Sequence, residues 1–180
     1  GANLEEFQQA AASGGHFNTW PDDDGVTRRV PMLAEHNGAY YESLSMAVIR
    51  LGLGLPPVVP GFPPDKPWSR DYPGLEWVDL GPVRVPVDNF VTALVPYRGS
   101  QGSFKYISAT DVLHGNTPLD DLKDKIVLVG TTAPGLYDLR AAPVASVYPG
   151  VEIHANLIAG MLDGNIKQRP PYVLGAEVML

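Results

Sequence analysis

The sequence predicts an α/β layered domain in which a mixed, partly parallel sheet is flanked by helices. Two nearly continuous apolar runs, residues 90–97 and 125–130, are typical of strands buried on both faces of a sheet. Helical patterns at 43–51, 108–113 and 151–162 alternate with these runs. Such alternation favours a sheet whose strands run at least partly parallel.

The first 33 residues predict a helix followed by a hairpin. The apolar residues within 3–12 share one helical face, so a helix is expected there. Strands are expected over 16–20 and 26–33, joined by a turn over 21–25 that is rich in aspartate and ends in glycine. Pro31 favours an edge position for the second strand, because proline cannot donate to a strand ladder.

Local signals delimit the three later helices. Ser43 and Ser108 are expected to be N-cap residues, and Asp111 completes a capping-box pattern with Ser108. Gly52 ends the first of these helices, and Gly164 ends the last.

Residues 52–88 differ from the rest of the chain, since nine of its eighteen prolines lie there. Proline-rich segments resist regular hydrogen-bonded ladders. We therefore expect a long surface excursion, and not a second domain, with Trp68, Tyr72 and Trp77 attaching it to the body.

Composition excludes several classes of function. A net charge of −7 repels nucleic-acid phosphates, so no nucleic-acid partner is expected. The lack of cysteine excludes disulfides, thiolate metal sites and a cysteine nucleophile. Neither a metal nor a cofactor is expected. No apolar run reaches the roughly 18–20 residues that a bilayer-spanning helix needs.

The last ten residues, 171–180, leave two interpretations open. Lys167, Arg169 and two prolines precede an apolar stretch, which is typical of a juxtamembrane junction and the start of a membrane helix. Glu177 favours the alternative, a C-terminal helix that packs on the body. Under the first interpretation, residues 1–170 form a single sensory domain.

Three motifs follow one another at characteristic spacing. The first is GHFN at 15–18, followed by DDDGVTRRVP at 22–31. The second is KIVLVG at 125–130, with Asp138 after it, and the third is PGVEIHAN at 149–156. Together they resemble the second type of CHASE domain, an extracellular sensory domain associated with cyclases and histidine kinases.

The resemblance spans roughly residues 10–170, apart from the proline-rich segment. It implies an extracytoplasmic ligand-sensing domain of a bacterial inner-membrane receptor. Membrane segments outside this chain would connect it to a nucleotide cyclase, a histidine kinase or a Ser/Thr kinase. Members usually carry strands and a helix before the first motif, so an N-terminally truncated domain is expected here. A homodimer is compatible with such a receptor, and the resemblance supplies no ligand.

The motif residues fall into two groups. Those expected to be structural are Asp22, Asp24, Gly25, Arg28, Arg29, Gly130, Pro143 and Gly150. In α/β sheets ligands collect where strands end, so polar residues near the predicted strand ends are candidates to contact a small polar or anionic ligand. These candidates are Arg98, Thr131, Thr132, Asp138, His154 and Asn156.

Competing site types fit less well. An EF-hand that uses Gly25 would place Trp20 and Pro31 at ligand positions, so calcium binding is not favoured. The loop after 125–130 lacks the lysine of a phosphate loop.

Two other functions stay open as alternatives. A soluble hydrolase would need a triad from Ser43 or Ser108 with His154 and Asp138, and no nucleophile-elbow motif supports it. A protein-interaction module of the cell envelope would use Trp68 and Trp77.

Overall fold

The computed structural model describes residues 4–62, 75–132 and 138–168. The helices are α1 (Glu5–Ala10), α2 (Leu44–Gly52), α3 (Ala109–Leu113) and α4 (Gly150–Leu162), with a 3₁₀ turn at Leu119–Asp121. The strands are β1 (Arg29–Pro31), β2 (Leu33–His36), β3 (Ala39–Glu42), β4 (Val59–Gly61), β5 (Trp77–Leu80), β6 (Val83–Pro86), β7 (Thr92–Leu94), β8 (Leu139–Ala142) and β9 (Ala145–Pro149).

The helices form where capping and periodicity predict them. The Ser43 side chain accepts a hydrogen bond from the Met46 N–H at the start of α2, and Ser108 accepts one from the Thr110 N–H at the start of α3. Residue Gly164 follows α4 with a φ of 62°, a conformation that glycine adopts without strain. None of the described helices is long and apolar enough to cross a membrane.

The predicted α/β class is confirmed, but the predicted partly parallel sheet is not. The described strands form four small antiparallel sheets, ordered β1-β7, β2-β3, β4-β5-β6 and β8-β9. Parallel pairing among the described residues is limited to isolated bridges, His16 with Ser43 and Val26 with Ala141. The strand expected over 16–20 likewise contributes only bridges, from His16 and Trp20.

The prediction of a buried strand at 125–130 is wrong. Residues 126–130, which we call the apolar strip, form no strand, and Val129 is 91% exposed. Their composition favours a strand, yet no described residue pairs with their backbone. The strand expected over 90–97 is shortened to β7, because Val91 has a φ of 59° and lies outside the extended region.

The proline-rich segment is also not confirmed as a surface excursion. Its described ends form the β4-β5-β6 sheet, and Val78, Leu80 and Val85 are fully buried. Alternation in β5 and β6 outweighs the described prolines within these strands, since Pro86 ends β6 and Pro60 lies in β4, an edge strand of this sheet. Trp68 and Tyr72 lie outside the described residues. Trp77 lies on Gly61, where an added Cβ would sit 1.8 Å from the indole nitrogen.

One core holds these elements together. Helices α2 and α4 pack against each other, and α4 also contacts β6 and β9. The buried apolar residues are Val30, Met32, Met46, Ile49, Val78, Leu80, Val85, Val87, Ala93, Val95, Ala142, Tyr148, Ile153, Leu157, Ile158, Met161 and Ile166. Three of the seven described buried polar residues, Glu152, His154 and Asn156, lie in α4, which therefore organises the candidate site.

Candidate functional site

The start of α4 is fixed by a close backbone approach. The Gly150 N–H donates to the Asp138 carbonyl at 2.8 Å, and a Cβ on Gly150 would lie 2.3 Å from an Asp138 carboxylate oxygen. A side chain at position 150 would therefore require the Asp138 carboxylate to move away. Gly150 is packed against Asp138, which lies beside the first turn of the helix.

Glu152, two residues further along in the same turn, is a buried carboxylate that accepts hydrogen bonds from three donors. It is 2% exposed and accepts hydrogen bonds from the backbone N–H groups of Gly102 and Ser103 and from the Tyr106 hydroxyl. Burial and this hydrogen bond raise the pKa of Tyr106, which keeps its proton for Glu152. The arrangement holds the 102–106 loop against α4.

Asn156 connects α4 to the backbone at Arg98, in the stretch that follows β7. Its side-chain oxygen accepts the Arg98 N–H at 2.9 Å, and its amide nitrogen donates to the Tyr148 hydroxyl and to the Glu152 carbonyl. Tyr148 in turn meets Tyr97 edge-on, with ring centroids 5.3 Å apart. Asn156 is fully buried, so its observed contacts are all internal.

His154 is buried between α2 and the N-terminal segment. Its Nδ1 lies 2.8 Å from the Ser45 hydroxyl, and its Nε2 lies 3.4 Å from the Phe17 carbonyl. Burial lowers the pKa of His154, although the Phe17 carbonyl and the Asp138 carboxylate act in the opposite direction. A neutral imidazole that accepts from Ser45 and donates to Phe17 satisfies both contacts.

The aspartate-rich hairpin is held by ion pairs. Arg28 bonds Asp24 through both of its terminal nitrogens, at 2.9 and 2.8 Å, and Asp22 at 2.9 Å. The hydrogen bonds from Arg28 and the Val26 N–H lower the pKa of Asp24 to about 2. Gly25 has a φ of 77°, as the turn requires.

The remaining motif residues lie at other contacts between elements. Arg29 reaches Asp88 at 2.9 Å, which joins the hairpin to the loop before β7. Gly130 lies against Val151, and Pro143 lies in the turn between β8 and β9. No group of three or more metal-ligating side chains occurs in the part of the chain that the structure describes.

A shallow cavity of about 340 Å³ opens beside the end of α4. It is lined by Pro96, Tyr97, Arg98, Gly160, Asp163, Asn165 and Lys167. Arg98 pairs with Asp163 there and lies over the Phe104 ring at 5.7 Å, so its guanidinium is held at the rim. The lining thus carries two cationic side chains, Arg98 and Lys167, of which Arg98 is paired with the Asp163 carboxylate, and the side-chain amide of Asn165.

The candidate ligand residues separate into three places. Arg98 lies in the cavity, and Asn156 contacts the Arg98 backbone from beneath. Asp138 and His154 lie near the other end of α4. Thr131 and Thr132 are exposed beyond the apolar strip. The structure thus brings together Arg98 with Asn156, and Asp138 with His154, but does not gather all six around one cavity.

Contacts that matter here but escaped the sequence interpretation involve Glu152, Ser45, Asp163 and Lys167. Glu152 lies within the PGVEIHAN motif, and an acidic residue in a first helical turn is usually assigned to the helix dipole. Its distance of four residues from Asn156 was the available signal that both face inward. Asp163 and Lys167 follow α4 without a motif of their own.

The serine–histidine contact has no catalytic arrangement. The triad considered for the alternative hydrolase would use Ser43 or Ser108, whereas the serine that bonds His154 is Ser45. Ser45 is fully buried, so no substrate reaches its hydroxyl in this conformation. The contact instead joins α2 to α4.

Comparison with known proteins identifies one family. The family model of the CHASE2 domain matches residues 2–179, essentially the whole chain. No curated protein and no solved structure matches the chain. The resemblance predicted from the three motifs is confirmed by this match.

Proposed function

We propose, on the premise that this chain belongs to the CHASE2 family of extracellular sensory domains, that it is the ligand-sensing part of a bacterial transmembrane receptor. The family match over residues 2–179 is the observation that carries the proposal. The receptor would lie in the cytoplasmic membrane, with this domain outside it. Its output would be a nucleotide cyclase, a histidine kinase or a Ser/Thr kinase. The family is sensory and not catalytic, in keeping with the buried position of Ser45.

The cavity beside α4 is our candidate for the ligand site, and a small anion is the ligand class that we propose. Arg98, one of the residues predicted from the sequence, lies at its rim together with Lys167. Asn156 fixes the Arg98 backbone from the buried side. A ligand bound there would contact both residues 96–98, which follow β7, and the end of α4. It would favour the relative position of these two parts in which it binds best.

Thermal-shift measurements with small carboxylates and inorganic phosphate test the site. A ligand that binds only the folded state raises the melting temperature as its concentration exceeds the dissociation constant. We expect Arg98→Gln to abolish that rise. Arg84→Gln is the matched control, because Arg84 also pairs with an aspartate, Asp79, at a place away from the cavity. Loss of the rise in both variants, or in neither, contradicts the assignment.

The gene that encodes the chain tests the receptor part of the proposal. It is expected to encode membrane-spanning segments and a cyclase or kinase domain in the same polypeptide. A reporter enzyme that is active only outside the cytoplasm is expected to be active when it is fused to this domain in the full-length protein. A gene without membrane spans or an output domain would contradict the receptor assignment and leave the family membership untouched.

A further inference from the structure

The N-terminal segment, residues 4–17, is attached to the rest of the domain through the last residues of the segment. Residues 4–12, which include α1, are exposed throughout. The first backbone bonds to the body come at His16, whose N–H donates to the Glu42 carbonyl at 3.0 Å and whose carbonyl accepts the Leu44 N–H at 2.7 Å. Gly15 packs so closely that an added Cβ would lie 2.8 Å from the Leu44 backbone.

Two imidazoles lie under this junction. Both ring nitrogens of His16 are buried and have no hydrogen-bond partner in the part of the chain that the structure describes. His154, from α4, reaches the Phe17 carbonyl with one nitrogen and the Ser45 hydroxyl with the other. We call His16, Phe17, Ser45 and His154 the imidazole latch, since they connect the segment to α2 and α4.

The surroundings of the latch favour the neutral form of both imidazoles, and the causes that act on His16 all favour it. Burial, and then the neighbouring His154, lower the pKa of His16. Burial also lowers the pKa of His154, against the Phe17 carbonyl and the Asp138 carboxylate, which raise it. On the α2 side, Arg50 pairs with Glu42 of β3 and also donates to the Ser13 hydroxyl of the segment at 3.1 Å, a contact that no histidine titrates.

The two histidines differ in how well they tolerate a second proton. A protonated His154 would direct its Nδ1–H at Ser45, whose hydroxyl can turn and accept it while facing the His154 carbonyl 3.5 Å away. A protonated His16 would bury two N–H donors without acceptors. Such a buried charge is costly unless it is paired, so His16 is the more sensitive member.

We propose that the imidazole latch is a proton-operated attachment, which holds residues 4–17 on α2 and α4 while both histidines are neutral and releases the segment on acidification. The attached state binds fewer protons than the released state, in which histidine has an ordinary pKa of about 6.5. Attachment is therefore complete above about pH 6.5 and weakens as the pH falls below it, by at most about tenfold per pH unit for each histidine. This inference stands apart from the ligand cavity and from the receptor assignment.

Native-state amide exchange between pH 7.5 and 5.0, corrected for the intrinsic rate, measures the attachment. The Leu44 N–H reports the latch, because it donates to His16, and the Leu157 N–H in α4 reports the core. We expect the protection of Leu44 to fall at least tenfold, while that of Leu157 falls less. An equal fall at both amides would mean general unfolding and would overturn the proposal, as would constant protection of Leu44.

Variants identify the responsible group. His16→Phe is expected to remove most of the pH dependence at Leu44, and His154→Gln a smaller part of it. The matched controls are His36→Gln and His114→Gln, since both of these histidines are exposed, and they are expected to leave the dependence unchanged. A pH dependence that persists in His16→Phe contradicts the latch.

Titration of the unmodified chain tests the proposal without any substitution that could alter the fold. The ring proton signals of His16 are expected to titrate with a midpoint below about 6.5, together with the loss of Leu44 protection. A midpoint at or above that value, or a midpoint unrelated to the protection of Leu44, would overturn the proposal.

Discussion

Helix α4 and the apolar strip have similarly apolar sequences, but the structure places them in opposite environments. Ile153 and Leu157 of α4 are fully buried. In the strip, Val127 is 54% exposed and Val129 is 91% exposed. Only Leu128 of the strip is partly buried and packs against the core. The strip therefore leaves its β-branched side chains in water.

The difference lies in the partners and not in the segments themselves. Helix α4 satisfies its backbone internally, and α2, β6 and β9 cover it. A strand needs a neighbour for its backbone as well as for its side chains, and none of the described residues supplies one to the strip. An apolar pattern thus reports what a segment is able to bury, whereas actual burial depends on residues elsewhere.

The largest expected effect tests the buried side of the comparison. Leu157→Ala is expected to lower the free energy of unfolding by about 2–5 kcal/mol, through lost burial and the cavity left behind. Leu162→Ala, in the same helix but half exposed, is the matched control and is expected to cost less than half as much. Urea unfolding followed by circular dichroism measures both, and equal costs would contradict the burial assigned to α4.

An intermediate effect is expected at Glu152. Glu152→Gln keeps the shape of the side chain but removes the charge that its three donors share, so a loss of about 1–3 kcal/mol in unfolding free energy is expected. Glu35→Gln is the control, because Glu35 is exposed and accepts a bond from the Gly38 N–H in a turn. If thermal unfolding shows no difference between the two variants, α4 does not depend on this carboxylate.

The smallest effect is expected in the apolar strip. Val129→Lys is expected to change the unfolding free energy by no more than about 0.5 kcal/mol, because the side chain is already in water. The variant is also expected to reduce any concentration-dependent self-association, since a charge interrupts an exposed apolar segment rich in β-branched residues. Analytical ultracentrifugation measures the association. Leu128→Ala is the contrasting neighbour, and a stability loss at Val129 equal to that at Leu128 would erase the contrast within the strip.

Features that are local in sequence were predictable. Ser43 and Ser108 cap helices as expected, and the turn that ends at Gly25 forms with glycine in the left-handed region. These features depend on interactions among residues a few positions apart, which composition and spacing record directly. The family could also be predicted, because each of its motifs consists of residues that lie next to or near one another in the sequence.

Features that depend on distant partners were not predictable. The β1-β7 pair joins residues about sixty positions apart, and the histidine of α4 meets a serine from α2. Single-sequence patterns record neither strand partners nor the direction of pairing. The prediction of a mixed, partly parallel sheet is therefore not confirmed by the antiparallel pairs of the described strands. The surface excursion predicted for the proline-rich segment is not confirmed for a related reason, since Pro86 at the end of β6 leaves the ladder of β5 and β6 intact.

The close approach of Gly130 to Val151 ties the end of the apolar strip to the first turn of α4. A methyl group at position 130 would lie 2.5 Å from the Val151 Cβ, a distance that real Cβ atoms do not adopt. Side-chain volume at one of these positions is therefore available only at the expense of the other. The two residues constitute one steric unit: because the first atom met is the Val151 Cβ, a side chain at position 130 would require glycine at position 151 or a backbone shift, although twenty-one positions separate the two residues in the chain.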